Sequence, residues 1–120
     1  LPGYGFARAS KRDREEWGRA VEGYLLGRRN LRALLMLVDV RRDPGEDERL
    51  LEELASARSA AVIRVATKVD KLGRADRDRR LRALERWQGR AWIPFSAHSG
   101  EGREEVLREV MRVAAGAGGA

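Results

Sequence analysis

Three short apolar runs, at residues 33–38, 61–67 and 91–96, limit more than any other feature what this chain can fold into. The first run, Ala-Leu-Leu-Met-Leu-Val, shows no alternation of apolar and polar residues. Strands of this kind are buried on both faces, as in a parallel sheet that helices cover. Arg64 is a polar exception in the second run. Pro94 predicts that the third strand lies at a sheet edge, because proline has no N–H to donate.

Segments with helical spacing lie before, between and after these runs. Ser10 can cap a first helix, a second follows Pro44 and a third begins at about Arg74. The four apolar stripes, each with a period of 3.6 residues, consist of Trp17, Val21, Tyr24 and Leu25; Leu50, Leu51 and Leu54; Leu81, Leu84 and Trp87; and Val106, Leu107, Val110 and Met111. The order of elements predicts an α/β fold of three layers, with a mostly parallel sheet between flanking helices.

Composition restricts the classes of protein and of site. The 120 residues suffice for one domain, and no apolar run reaches the roughly 18–20 residues that cross a bilayer. The absence of cysteine excludes disulfides and thiolate zinc sites, and the single histidine, His98, disfavours a catalytic triad. Because the first residues resemble no signal peptide, we expect a cytoplasmic domain without a membrane partner.

The charge of the chain favours a polyanionic partner. A net charge of +6 and an isoelectric point near 10.6 suit RNA. The arginines expected to contact its phosphates include Arg8, Arg12, Arg28, Arg29 and Arg32. The alternative is that an arginine-rich sequence places arginine on every solvated face.

The residues that follow the second and third runs predict recognition of a base. The carboxylate of Asp70 can accept the two parallel N–H donors of guanine, a pair that adenine lacks, so a buried Asp70 would reject adenine. We expect Thr67 and Lys68 to contribute to the same pocket, with the lysine stem against the flat base. Ser96 and Ala97 would close the other side, the Ala97 N–H donating to the guanine carbonyl. The alternative is that Asp70 caps the following helix and Lys68 is a solvated loop residue.

Two further patterns support this interpretation. The chain has 22 arginines and 3 lysines, and Lys68 and Lys71 flank Asp70. A broad guanidinium does not replace a slim lysine stem packed on a base. Near the start, Pro2-Gly3-Tyr4-Gly5 is a tight turn in which a backbone N–H can approach a phosphate, although it also fits an ordinary loop.

These motifs have the order and spacing of a Ras-like GTPase domain, and the chain resembles the EngB (YihA/YsxC) family of bacterial GTPases. The matching stretches are Leu-Pro-Gly-Tyr-Gly-Phe-Ala at 1–7, Leu-Val-Asp-Val-Arg at 37–41, Val-Ala-Thr-Lys-Val-Asp-Lys at 65–71, and Ile-Pro-Phe-Ser-Ala with Ser-Gly-Glu-Gly at 93–102. The first stretch argues against a different Ras-like translation GTPase.

The resemblance implies a role for each matching residue. Gly3, with Pro2 shaping its turn, would donate to the terminal phosphate of GTP. Thr67, Lys68 and Asp70 would hold guanine, and Ser96 and Ala97 would close the pocket. No catalytic residue is assigned, since Tyr4 stands where Ras-type enzymes have their water-orienting glutamine. Arg41 is expected to form a surface salt bridge, and His98 to be a loop residue without chemistry.

The resemblance also predicts how much of the domain is present. The family's phosphate-cradling Gly-Lys-Ser/Thr loop and its magnesium-linked threonine do not occur in the sequence. We therefore expect a partial EngB-type G domain over residues 1–115, lacking the first strand and phosphate loop, and a flexible Ala/Gly tail over 116–120. This segment alone is not expected to be a competent enzyme.

What the family implies is a monomeric protein that binds GTP and GDP and hydrolyses GTP with Mg²⁺. It further implies association with ribosomal RNA or the large ribosomal subunit, in subunit assembly, and a link to division septum formation. The alternative function is a non-enzymatic basic module that binds RNA or the ribosome and no longer binds nucleotide. Guanine-nucleotide titration discriminates between the two.

Overall fold

The computed structural model describes residues 32–116. Its strands are β1, Ala33–Asp39, β2, Ala61–Thr67, and β3, Ile93–Pro94; its helices are α1, Glu46–Ala57, α2, Arg74–Arg86, and α3, Arg103–Gly116. A 3-10 turn, Val69–Lys71, connects β2 to α2. The predicted first helix, which begins at Ser10, and residues 117–120 of the predicted tail lie outside the described residues.

The three strands form one parallel sheet with β2 in the centre. The β1–β2 register runs from Ala33 opposite Ala61 to Asp39 opposite Thr67. β3 lies at an edge, as Pro94 predicts, but it is only 2 residues long. The prediction of a strand over 91–96 was too long, because the chain leaves the ladder after Phe95 and turns into a loop that the Ser96 N–H closes.

Helices α1 and α2 cover one face of the sheet and enclose the main core. The core consists of Met36, Val38, Val40, Leu51, Leu54, Ala66, Val69, Leu84 and Trp92. The predicted inward positions Leu51, Leu54 and Leu84 are confirmed, and Leu50, Leu81 and Trp87 are half-buried against the same cluster. The rings of Trp87 and Trp92 lie 6.3 Å apart, centre to centre. The two tryptophans of the described segment, Trp87 and Trp92, are therefore packing residues.

Helix α3 covers the opposite face, where Val113 packs against Ile63 and Val65 of β2. Its inward stripe continues through Val106 and Val110. The prediction that Leu107 and Met111 belong to this stripe is wrong, because both are exposed, to 52% and 68%. A stripe of spacing 106, 110 and 113 already satisfies the helical period, so these two neighbours lie to one side. In the described segment, no helix combines the length and the apolar content required to span a membrane.

The expectation that the first strand is buried on both faces is also wrong. Met36 and Val38 of β1 are buried in the main core, whereas Leu35 and Leu37 are exposed to 43% and 50%. The register places Leu35 and Leu37 on the α3 side of the sheet, opposite Ile63 and Val65. Within the described segment, α3 buries the β2 side chains but leaves these two leucines accessible.

Arg64, the polar exception in the second apolar run, pairs with Glu52 of α1. Its Nη2 lies 2.6 Å and 2.7 Å from the two carboxylate oxygens of Glu52. The side chains are only 11% and 13% exposed. The main core therefore tolerates a charge at the centre of β2 because an opposite charge reaches it from the helix above.

Replacement of Glu52 by alanine should lower the free energy of unfolding by about 3 kcal/mol, since Arg64 then remains largely buried without a counter-ion. Adding Arg64→Met should restore most of this loss, because neither charge remains. Urea denaturation measures both effects. Asp76→Ala is the matched control, because the Asp76–Arg79 pair is exposed and contributes below about 1 kcal/mol. A Glu52→Ala loss no larger than that of the control would contradict the role of the pair.

Candidate functional site

The carboxyl ends of the strands bring together the residues that the sequence predicts for a base pocket. β2 ends at Thr67, and Ser96 follows the end of β3. Two backbone hydrogen bonds join the segments beyond these strands: Phe95 N donates to Ala66 O at 2.8 Å, and Val69 N donates to Phe95 O at 3.2 Å. In open parallel sheets this edge is where ligands bind.

Asp70 and Ser96 meet at this edge. The Ser96 side chain is fully buried, and its hydroxyl donates to Asp70 Oδ1 at 2.8 Å while accepting the Ser99 N–H at 3.1 Å. The hydrogen bond from Ser96 holds the pKa of Asp70 below its ordinary value. Asp70 is therefore an ionised, acceptor-only group at neutral pH, with its orientation set by a buried partner.

Asp70 itself is exposed, so the expectation of a buried carboxylate is wrong for this structure. The 3-10 turn places its side chain on the outer surface, while the preceding Val69, only 1% exposed, enters the core. The alternative that Asp70 caps the next helix is also wrong. α2 begins at Arg74 with Gly73 as its N-cap, and no side chain caps it.

Lys68 has a left-handed backbone, with φ 60° and ψ 34°. This conformation is uncommon for a residue with a side chain and is found preferentially at functional positions. The side chain is 60% exposed, and its Nζ lies 4.0 Å from Asp39 Oδ2. The stem of Lys68 is thus accessible, two residues before Asp70 in the chain, and only a weak, partly exposed ion pair with Asp39 restrains it.

Asp39, at the end of β1, is mainly the partner of Arg41. Arg41 donates from its backbone N at 2.9 Å and from Nε at 3.0 Å to Asp39 Oδ1, and from Nη2 at 2.7 Å to Oδ2. The Arg41 side chain is the main reason why the pKa of Asp39 is lowered. The expectation of a surface salt bridge for Arg41 is confirmed. The sequence did not identify Asp39 as the group that faces Lys68.

The remaining predicted residues lie at or outside this edge. Thr67 is half-buried, and its carbonyl accepts the Val40 N–H at 2.9 Å. Ala97 and His98 are exposed in the loop that follows Ser96. Pro2 and Gly3 lie outside the described residues, so the structure does not bear on the phosphate turn.

Helix α2 fixes the loop that carries Ser96. Arg77 Nη1 donates to Glu101 Oε1 at 2.7 Å, and Arg77 Nη2 bonds the second oxygen of Glu101. Glu101 in turn accepts the Ser96 N–H on its backbone carbonyl at 3.0 Å. Gly102 completes the loop at φ 82°, where an added Cβ would lie 2.0 Å from Pro94 O. Arg77 is therefore linked to the Asp70 carboxylate through two residues. Glu101 accepts the Ser96 N–H, and the Ser96 hydroxyl donates to Asp70.

A second arginine of α2 fixes the loop after β1. Arg80 donates from Nε to Val40 O and from Nη2 to Arg42 O and Asp43 Oδ1, each at 2.8 Å. Arg77 and Arg80 lie three residues apart on α2 and hold the loops on either side of the candidate site. Sequence reasoning missed both, because in so arginine-rich a chain they are indistinguishable from solvated surface residues.

The described residues contain no preformed metal site made of side chains alone. Between residues 32 and 116 there is no group of three His, Cys, Asp or Glu side chains that could hold a metal ion. What the site does offer is an oriented carboxylate, an accessible lysine stem and backbone N–H groups of an exposed loop. These groups can bind a planar ligand that presents paired N–H donors.

Comparisons with known proteins agree with this geometry. No protein-family model matches the chain. "Probable GTP-binding protein EngB" of Exiguobacterium sibiricum is 37% identical over 116 residues, which cover 93% of this chain and 60% of that protein. The protein of the same name from Streptococcus pneumoniae is 42% identical over 115 residues, covering 92% and 59%. That from Symbiobacterium thermophilum is 41% identical over 113 residues, covering 90% and 48%.

The chain thus spans about 60% or less of the length of these relatives. The parallel sheet with helices on both faces agrees with part of a Ras-like G domain. The identity extends over nearly all of the chain, including the stretches that carry Asp70 and Ser96. The chain is therefore similar over most of its length to EngB proteins, and the match is consistent with the carboxyl-terminal part of these relatives.

Proposed function

We propose that this chain supplies the guanine-binding part of an EngB-type GTPase, and that Thr67, Lys68, Asp70, Ser96 and Ala97 form its base pocket. The observation that carries the proposal is the Asp70 carboxylate, held by the buried Ser96 hydroxyl at 2.8 Å. Relatives over 93% of the chain are named GTP-binding proteins, which supports the same ligand.

The chemistry of the pocket favours guanine over other bases. Its N1–H and exocyclic amine are parallel donors, which the two oxygens of an ionised carboxylate accept together. Ser96 uses one lone pair of Oδ1 and leaves the carboxylate able to accept both donors. The Ala97 N–H is the donor for the guanine carbonyl. The accessible stem of Lys68 covers one face of the base.

The remaining parts of the proposal, which concern the phosphate contacts, GTP hydrolysis, location and partner, rest on the resemblance to EngB proteins. Pro2 and Gly3 contact the terminal phosphate, and GTP is hydrolysed to GDP with Mg²⁺ held by residues that the described segment does not contain. Residues 1–115 are the partial G domain, and helix α3 continues to Gly116. We place the protein in the cytoplasm as a monomer that acts on ribosomal RNA in large-subunit assembly, with a link to septum formation.

Replacement of Asp70 by asparagine is the diagnostic test. The amide offers one acceptor and one donor, so it no longer fits the paired donors of guanine but does fit xanthine. We expect GTP affinity to fall about a hundredfold and affinity for xanthosine triphosphate to rise. Calorimetry with both nucleotides should be done on this chain and on a chimera in which it replaces the matching part of the Exiguobacterium sibiricum relative. The chimera supplies the remaining phosphate contacts.

The matched control is Asp76→Asn, an exposed carboxylate on α2 whose partner is Arg79. It should leave the ratio of the two affinities unchanged. An unchanged ratio in Asp70→Asn as well would reject the guanine pocket.

The positioning of the Ser96 loop generates a second test. Arg77→Ala removes both hydrogen bonds to Glu101 and should weaken nucleotide binding about five- to tenfold, mainly through faster dissociation. Amide hydrogen exchange at Ser96, Ser99 and Gly100 should accelerate in parallel, since their N–H groups close this loop. Arg79→Ala, on the same helix but with an exposed partner, is the control and should change neither measurement.

A loss of amide protection in Arg77→Ala without any change in nucleotide dissociation would show that the loop geometry does not govern binding. A charge-swapped variant, Arg77→Glu with Glu101→Arg, should recover part of the affinity if the pair acts through its mutual bond.

The second candidate function is a basic module that binds RNA and no nucleotide. The net charge of +6 favours it. Titration of GTP and GDP into the chimera discriminates between the two. If neither nucleotide binds while RNA does, the module is the better description.

A further inference from the structure

The amino ends of the strands form a second concave region, on the opposite edge of the sheet from Asp70. It is a cleft of about 790 Å³, lined by residues of the sheet, of α1 and of α3. Arg32 lies directly before β1, Arg90 lies three residues before β3, and Arg64 reaches it from the middle of β2. Arg112 of α3 completes the lining.

The cleft concentrates positive charge. Four arginines line it, and the only carboxylate among its lining residues is that of Glu52. Glu52 pairs with Arg64, and Arg112 pairs outside the cleft lining with Glu109 at 2.8 Å. Arg32 and Arg90 have no carboxylate partner among residues 32–116. Because these arginines come from four separate elements, their convergence does not arise from one solvated helix face.

Two buried donors beside the cleft lack acceptors. Within the described residues, the Nε of Arg64 and the Nε1 of Trp92 are buried without a hydrogen-bond partner. Both residues also line an adjoining cavity of about 350 Å³, which shares Arg64 and Arg90 with the cleft. An acceptor that reached these N–H groups would lower their energy, whereas Glu105 and Glu109 make the adjoining cavity less positive than the cleft.

We propose that this cleft binds the phosphodiester backbone of RNA, with Arg32 and Arg90 as the phosphate contacts and Arg112 as a supporting charge. The geometry leaves the edge that carries Asp70 free, so nucleotide and RNA occupy opposite ends of the same sheet. The proposal deepens the RNA partnership proposed above by naming its surface. It does not depend on nucleotide binding.

Fluorescence anisotropy with a labelled single-stranded RNA of 20 nucleotides, repeated over a series of KCl concentrations, tests the cleft. Each lost phosphate contact should reduce the slope of log K against log salt by about 0.7. The double variant Arg32→Gln/Arg90→Gln should therefore reduce the slope by about 1.4. Its affinity at low salt should fall at least about tenfold.

The matched control is Arg74→Gln/Arg79→Gln, which removes the same charge from the first half of α2. The topology places this half toward the carboxyl ends of the strands, away from the cleft. The control should leave the slope nearly unchanged. Circular dichroism of all variants should show nearly the same thermal transition, because Arg32 and Arg90 have no described side-chain partner and the Asp76–Arg79 pair is exposed.

Each other outcome rejects the proposal in a different way. Equal losses in the two double variants would show that RNA binds by overall charge. Competition by poly-glutamate as strong as that by unlabelled RNA would indicate an acidic protein partner. Displacement of RNA by inorganic phosphate at a concentration that leaves the ionic strength unchanged would indicate a site for free phosphate. If the wild type binds no RNA, both the cleft and the RNA partnership fail, whereas the Asp70 test remains independent.

Discussion

The parallel pairing of β1 with β2 over seven residues is the constraint on which the rest of this structure depends. Parallel strands need a crossover, and α1 supplies it on one face of the sheet. Because all strand pairs are parallel, the carboxyl ends of all strands lie at one edge of the sheet and their amino ends at the other. The two candidate sites are consequences of this pairing, since each gathers residues that are far apart in sequence at one edge of the sheet.

Charge is distributed differently at the two edges. At the carboxyl edge, Asp39 and Asp70 are each bound by a specific donor, and Lys68 forms a weak ion pair with Asp39. At the amino edge, Arg32 and Arg90 have no such partner among the described residues. The carboxyl edge thus presents an oriented carboxylate, which suits the proposed base pocket, and the amino edge presents arginines without a carboxylate partner, which suit the proposed RNA cleft. The largely buried Arg64–Glu52 pair lies between these edges and keeps the centre of β2 nearly neutral.

The sequence predicts the fold better than the details of packing. The bounds of β2 and the start of α2 at Arg74 were predicted correctly, because strong apolar periodicity and a local breaker coincide there. The burial of β1 was not, since a run such as Leu-Leu-Met-Leu-Val does not reveal which of its faces a helix will cover. The same limit applies to Leu107 and Met111, whose exposure depends on how α3 is rotated over the sheet.

The candidate site shows a similar division. The stretches with Lys68, Asp70 and Ser96 were identified from the motif, and the structure places them together at one edge. Their burial was predicted wrongly for Asp70, because the motif contains no information on which residue of the 3-10 turn enters the core. The supporting arginines Arg77 and Arg80 could not be found, since their importance depends on partners 24 to 40 residues away in sequence.

The left-handed backbone of Lys68 explains why the exposed Asp70 still has a defined orientation. A positive φ costs a residue with a side chain about 1 kcal/mol or more, so it persists only where its surroundings enforce it. Here Val69 is buried, and its N–H is bound to Phe95 O, which fixes the chain directly after Lys68. The turn therefore directs Asp70 toward the buried Ser96 hydroxyl and leaves the lysine side chain in solvent. Local strain at Lys68 and the hydrogen bond at Ser96 together hold the Asp70 carboxylate in the orientation that the proposed base pocket requires.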